Sequence, residues 1–182
     1  MDLQLLGGII GILIHIPLLI GIWSGKVRQS FTSYALWSAL DFIAAYAIYL
    51  QGGNFWLPFL YAIGAGLASV SLLIKKNFSW NNLDWFVIGL VIACVIIQYQ
   101  IGEFWSMIAS VSSLSIASIP QIIDTFKRPK NTPSLVYSVF CLANLVSLFG
   151  AKSFALEQVL YAGSGLIICI TITSLSLRTK NS

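Results

Sequence analysis

The chain has 182 residues, 58% of them hydrophobic and only 9% charged, with a mean hydropathy of +0.88 and a formal net charge of +4. Ordinary soluble domains carry roughly 25% charged residues, so this composition excludes one. The positive charge is not a nucleic-acid footprint, because the basic residues fall in short stretches between apolar blocks.

Seven apolar blocks follow one another, at 3–23, 33–50, 55–74, 85–101, 104–126, 134–151 and 156–177. Each is long enough to cross a hydrocarbon core of about 30 Å. Lipid offers no partner to an open backbone group, so such spans must be helical. The expected fold is therefore an all-α polytopic membrane protein.

The first span begins after Met1-Asp2, which lacks the basic stretch of a cleavable signal. It carries His15, the only histidine, and Pro17. Pro17 lacks an N–H and clashes with the carbonyl of Leu13, which favours a kink. In the second span Tyr34, Trp37 and Asp41 stand at i, i+3 and i+7, on one helical face. The third holds Leu60-Tyr61-Ala62-Ile63-Gly64-Ala65-Gly66-Leu67, whose small residues allow close helix contact.

The fifth, sixth and seventh spans repeat this plan. At an offset of 103 positions and without a gap, Pro17 aligns with Pro120, His15 with Ser118, Tyr34 with Tyr137, Trp37 with Phe140 and Asp41 with Asn144. Pro120 faces the carbonyl of Ile116 as Pro17 faces that of Leu13, and Gln121 follows it where Leu18 follows Pro17. After a shift of a few residues, Leu160-Tyr161-Ala162-Gly163-Ser164-Gly165-Leu166 echoes the third span. The chain thus reads as two copies of one three-helix unit. The fourth span, 85–101, has no counterpart; it supplies the extra crossing that lets the second copy run parallel to the first. The division is a first bundle at 1–76, a linker helix within 77–103 and a second bundle at 104–182, a 3+1+3 arrangement.

Loop charge sets the orientation. With the N-terminus outside, Lys26, Arg28, Lys75, Lys76, Lys127, Arg128, Lys130, Arg178 and Lys180 are cytoplasmic, whereas Lys152, Asp2, Glu103 and Glu157 are external. Trp56, Trp80, Trp85 and Trp105 lie near span ends, as interfacial anchors do. Cys94, Cys141 and Cys169 fall inside spans and read as apolar filler, with no disulfide or metal ligation expected.

Asp41 is the acidic residue set deep in a span, where a carboxylate costs roughly 2.5–3.5 kcal/mol on insertion scales. It therefore needs a cavity or a partner: either a proton-coupling or solute site, or a protonated acid bonded to a neighbouring helix. Asn144 at the matching place favours the site over the structural role, and the stripes Tyr34-Trp37-Asp41 and Tyr137-Phe140-Asn144 give it ring walls and a hydrogen-bonding floor. His15 is the candidate proton relay to Asp41, the alternative being a bonded structural histidine. Pro17, Pro120 and Gln121 are the candidate hinge and gate, the alternative for the prolines being a static bend.

These residues resemble the PQ-loop and SWEET superfamily of small-solute transporters. The resemblance is carried by Pro120-Gln121, by the basic loop with Asn131-Thr132-Pro133-Ser134, and by Phe140-Cys141-Leu142-Ala143-Asn144-Leu145. Trp37-Ser38-Ala39-Leu40-Asp41 is similar to the Trp-x-x-Gly-Asp pattern of PQ-loop amino-acid transporters of the cystinosin type, with Leu40 in place of the glycine. The resemblance implies alternating access without ATP, two bundles rocking about a central site, and proton coupling at Asp41. Sugar-carrying members place paired asparagines in the third helix of each bundle; spans 55–74 and 156–177 contain none, which favours an amino-acid-like solute.

The expected function is a secondary transporter of a small polar solute, with a proton as candidate co-solute and the bilayer as its medium. A SWEET-type sugar facilitator and a non-transporting membrane receptor or chaperone are the alternatives. A retinal protein is excluded by the absence of a lysine in span 156–177, and no paired aspartates, metal cluster or nucleophile–base pair points to an enzyme. No cofactor, metal or nucleic-acid partner is implied, and the oligomeric state stays open.

Overall fold

The computed structural model describes residues 2–25, 31–75, 82–127, 129, 132 and 134–178. Lys26, Arg28, Lys76, Trp80, Arg128, Lys130, Asn131, Pro133 and Lys180, named above, lie outside the described residues, as does the side chain of Pro120.

The described residues are all-helical, in eight segments: α1 Leu3–Leu13, α2 His15–Trp23, α3 Phe31–Leu50, α4 Trp56–Ile74, α5 Asn82–Gln100, α6 Glu103–Lys127, α7 Ser134–Phe149 and α8 Leu156–Leu177. Four helical stretches are long and apolar enough to cross a bilayer: Leu3–Trp23, Trp56–Ile74, Glu103–Lys127 and Leu156–Leu177. Shorter apolar helices cover Tyr34–Leu50, Ile88–Gln100 and Ser134–Phe149. Large apolar side chains such as Ile20, Ile74, Tyr99, Phe149 and Ile167 face outward, a surface that needs lipid rather than water.

The two prolines behave differently. The helix is interrupted at Ile14, between α1 and α2, where Pro17 withholds a donor from Leu13. α6 runs through Pro120 without interruption over 25 residues. The expected matched pair of kinks therefore breaks the helix only in the first half.

Packing follows a pattern of exchange. α3 packs on α4 and α7 packs on α8; α1 packs on α4 and α6 on α8; α1 meets α7 and α3 meets α6. Swapping α1 with α6, α3 with α7 and α4 with α8 turns this set into itself. Among the described residues α5 packs chiefly against α3 and α6, with Cys94 buried against Leu36 and Leu40. It covers one of the two seams and leaves the α1–α7 seam uncovered.

A small residue makes the uncovered seam possible: a Cβ at Gly7 would lie 2.8 Å from the carbonyl oxygen of Ala143. Gly8 gives α1 the same close approach to α4, where a Cβ would lie 2.9 Å from the carbonyl oxygen of Trp56. The main core, around Ala44, Ile48, Leu57, Met107, Val111, Ala143 and Ala162, fills the end of the molecule nearest the α3–α4 and α7–α8 loops. No cavity residue comes from those loops, so the opposite half is where open space lies.

Candidate functional site

A cavity of about 490 Å³ opens between the elements of both halves. Its walls include Tyr34, Trp37 and Asp41 from α3, Tyr137, Phe140 and Asn144 from α7, His15 and Pro17 from α2, and Gln121 from α6. Thus nine of the ten residues singled out from the sequence line one space; the tenth, Pro120, has no described side chain.

Asp41 and Asn144 each stand ten residues into their helices, at about 15 Å for a rise of 1.5 Å per residue. Both are shielded from solvent, at 5% and 0% exposure, so each must find partners in the protein or in a bound molecule.

The partners are two tyrosines not singled out as site residues above. Tyr161 on α8 donates its hydroxyl proton to Asp41 Oδ1 at 2.6 Å. Asn144 Nδ2 donates to the hydroxyl oxygen of Tyr61 on α4 at 3.1 Å, and to the carbonyl oxygen of Phe140 at 2.8 Å. A carbonyl can only accept, so the Phe140 contact fixes which end of the amide is nitrogen. Under the helix exchange above, the Asp41–Tyr161 bond becomes the Asn144–Tyr61 bond. Each joins a middle helix of one half to a final helix of the other. The echo between Tyr61 and Tyr161 was visible in the sequence, but the neighbouring glycines drew the reading toward packing.

Those glycines make room for the site. A Cβ at Gly165 would strike Asn144 Oδ1, and one at Gly64 would lie 2.6 Å from His15 Cγ. A Cβ at Gly11 would strike the Tyr61 ring. Gly163, by contrast, has nothing within 4 Å. Asn144 Oδ1 is buried and has no hydrogen-bond partner among the described residues.

Aromatic rings form the walls. Tyr34 and Trp37 meet edge-on at 5.3 Å, and Tyr61 and Phe140 at 5.3 Å. His15 sits edge-on to Phe140 at 5.6 Å, and its Nδ1 lies 3.0 Å from the carbonyl oxygen of Gly11. That bond ties His15 back to α1, across the interruption at Ile14; no bond from His15 to Asp41 is present among the described residues. Gln121 donates to Thr125 Oγ1 at 3.2 Å, and Thr125 lies 3.0 Å from Thr132. The amide after Pro120 thereby anchors the loop ahead of α7 as well as lining the cavity.

The other end of the molecule is closed by polar contacts between the halves. Gln4 Nε2 donates to Gln158 Oε1 at 3.0 Å, and Gln158 Nε2 donates to the carbonyl oxygen of Gly52 at 3.3 Å. Asn54 Nδ2 donates to Ser147 Oγ at 2.9 Å, and the Asn54 backbone N–H donates to the carbonyl oxygen of Glu157 at 3.0 Å. The cavity instead extends toward Leu18, Gln121 and Thr132, at the end where α2 and α6 finish.

Compared with known proteins, the chain matches no family model, no curated protein and no solved structure. Its function must therefore be argued from this geometry.

Proposed function

We propose that the protein is a secondary transporter moving a small polar solute by alternating access, an amino acid or related compound in preference to a sugar, with Asp41 as the proton-coupling group. In this reading the chain crosses the membrane seven times as two parallel three-helix bundles, 1–76 and 104–182, joined by the linker helix, in the manner of the PQ-loop and SWEET transporters. The N-terminus is outside and the C-terminus cytoplasmic, so the cavity opens to the cytoplasm and the Gln4–Gln158 and Asn54–Ser147 contacts close the outer face.

One observation carries the reading: an acid and an amide, at matching places ten residues into their helices, share the floor of one cavity and are held across the halves by Tyr161 and Tyr61. An ionisable side chain within a membrane span is by default a candidate for a solute or proton pathway, and the amide at the matching place adds to it. Rocking one half against the other must break and remake these two bonds, which links the site to the closed outer face.

Uptake into proteoliposomes, across a panel of amino acids and sugars with and without an inward proton gradient, tests the proposal. Wild type is expected to accumulate at least one panel member, and Asp41→Asn to lose the response to the gradient. Absence of uptake for every member would count against transport; binding without uptake would favour a receptor on the same scaffold.

A further inference from the structure

We infer that the cavity is built for a small organic ammonium ion, a hydrogen-bond-donating cation that carries no carboxylate of its own. The inference departs from the proposal above on one point, replacing the amino acid by its carboxylate-free relative, and it rests on that cavity being the binding site, not on passage through it.

Charge comes first. Asp41 is the acid in the cavity wall, and no lysine or arginine is among the described residues that line it. A zwitterionic amino acid would bring a second carboxylate beside Asp41, with no lysine or arginine among the described lining residues to meet it. Like charges at short range disfavour each other strongly where the surroundings are apolar. An ammonium ion meets the opposite situation.

The hydrogen-bond inventory points the same way. Around the floor Tyr161 donates to Asp41, and both Asn144 amide hydrogens go to Tyr61 and to the carbonyl of Phe140. The Tyr61 hydroxyl accepts in that bond and keeps its own hydrogen. The hydroxyls of Ser115, Ser118 and Ser164 turn back onto their own helices, at the carbonyls of Val111, Leu114 and Tyr161. Two acceptors stand open beside them. Asn144 Oδ1 is wholly buried without a partner, and the absence of a Cβ at Gly165 keeps that oxygen's place clear. The second oxygen of Asp41 has no hydrogen-bond partner among the described residues. A buried acceptor left unsatisfied is disfavoured, so the fitting ligand is a donor, and an ammonium ion presents up to three.

The walls complete the match. Tyr34, Trp37, Tyr61, Tyr137, Phe140 and Tyr161 surround the floor with rings. The face of an aromatic ring attracts a cation through its quadrupole, and such cages recur where organic ammonium groups are recognised. A volume of about 490 Å³ admits a molecule of amine size with a hydrocarbon body.

The test compares each amino acid with the amine left when its carboxylate is removed, and with the neutral alcohol of the same shape. Isothermal titration of the purified full chain would use isoamylamine, leucine and isoamyl alcohol, then phenethylamine, phenylalanine and 2-phenylethanol. In both sets the amine is expected to bind at least about tenfold more tightly than its two analogues, a difference of about 1.4 kcal/mol. Asp41→Asn should abolish the preference for amine over alcohol, with a thermal melt confirming that the variant is folded. Leucine or phenylalanine binding as tightly as its amine would overturn the inference, as would wild type that binds neither amine. The wild-type comparison decides the matter even if the variant does not fold. Uptake of the same six compounds separates this inference from the transport proposal: amine binding without uptake removes transport alone, and uptake of an amino acid by a protein that binds no amine removes this inference alone.

Discussion

Asp41 on α3 receives a hydrogen bond from Tyr161 on α8, whereas Asn144 on α7 gives one to Tyr61 on α4. The two pairs occupy exchangeable places, yet the bonds run in opposite directions. In the first pair the chargeable group is an acceptor and needs a donor brought to it. In the second a neutral amide supplies the donor and leaves its own oxygen bare. The same divergence appears along the backbone, where the helix is broken ahead of Pro17 but continuous through Pro120. It also appears between the seams, since α5 covers α3 and α6 while α1 and α7 meet through Gly7. The halves share a frame, and they differ wherever charge, bending or exposure is at stake.

Removing the polar groups should break this comparison most strongly. Asp41→Ala is expected to lower solute uptake at least about tenfold, or about 1.4 kcal/mol, because no other acid is among the described residues that line the cavity. Asn144→Ala should lower it less, since Tyr61 and Phe140 remain to shape the wall. Initial uptake rates at one solute concentration decide the order; equal losses would show that the halves contribute alike.

The glycines offer an internal control. Gly165→Ala should destabilise the protein by about 1–3 kcal/mol, the usual range for forcing extra volume into a packed site, because its Cβ would strike Asn144 Oδ1. Gly163→Ala, two residues away and with open space around it, should stay within about 0.5 kcal/mol of wild type. Thermal melts in detergent report both, and a comparable drop in each would contradict the packing described.

Deleting the tyrosine hydroxyls sharpens the contrast between the bonds. Tyr161→Phe takes the donor from a carboxyl group and should cost about 1.5 kcal/mol, the lower end for bonds to charged groups. Tyr61→Phe removes an interhelical bond between neutral groups, for which about 0.6 kcal/mol is typical in membrane proteins. Reversal of this order would mean that the amide side carries the greater strain. At the closed end Gln158→Ala should likewise cost about 0.6 kcal/mol, and in a transporter it should raise accessibility of a cysteine placed in the cavity to an outside thiol reagent.

Much of this was legible in the sequence because it rests on local periodicity. The apolar block 55–74 became α4, Trp56–Ile74, and block 104–126 became α6, Glu103–Lys127. The 103-residue offset put Asp41 and Asn144 at equal depth. What could not be read was the crossing of partners. Tyr61 and Tyr161 are offset by 100 residues rather than 103, and their bonds depend on how the halves pack, which spacing within a helix does not encode. Nor could the unequal effect of two prolines be foreseen, since both make the same local clash and only their surroundings differ. Gln121 was expected as part of a gate; its bond to Thr125, and through it to Thr132, depends on a loop whose path no helical period describes.

The crossed bonds bear on how the chain can be divided. Cutting it between α5 and α6 would strand Asp41 from Tyr161 in one fragment and Asn144 from Tyr61 in the other. Neither fragment could shelter its buried polar side chain alone, so each should be unstable by itself and recover only when both are made together. Two pieces that rescue one another without a covalent tether would be the expected signature of this shared dependence.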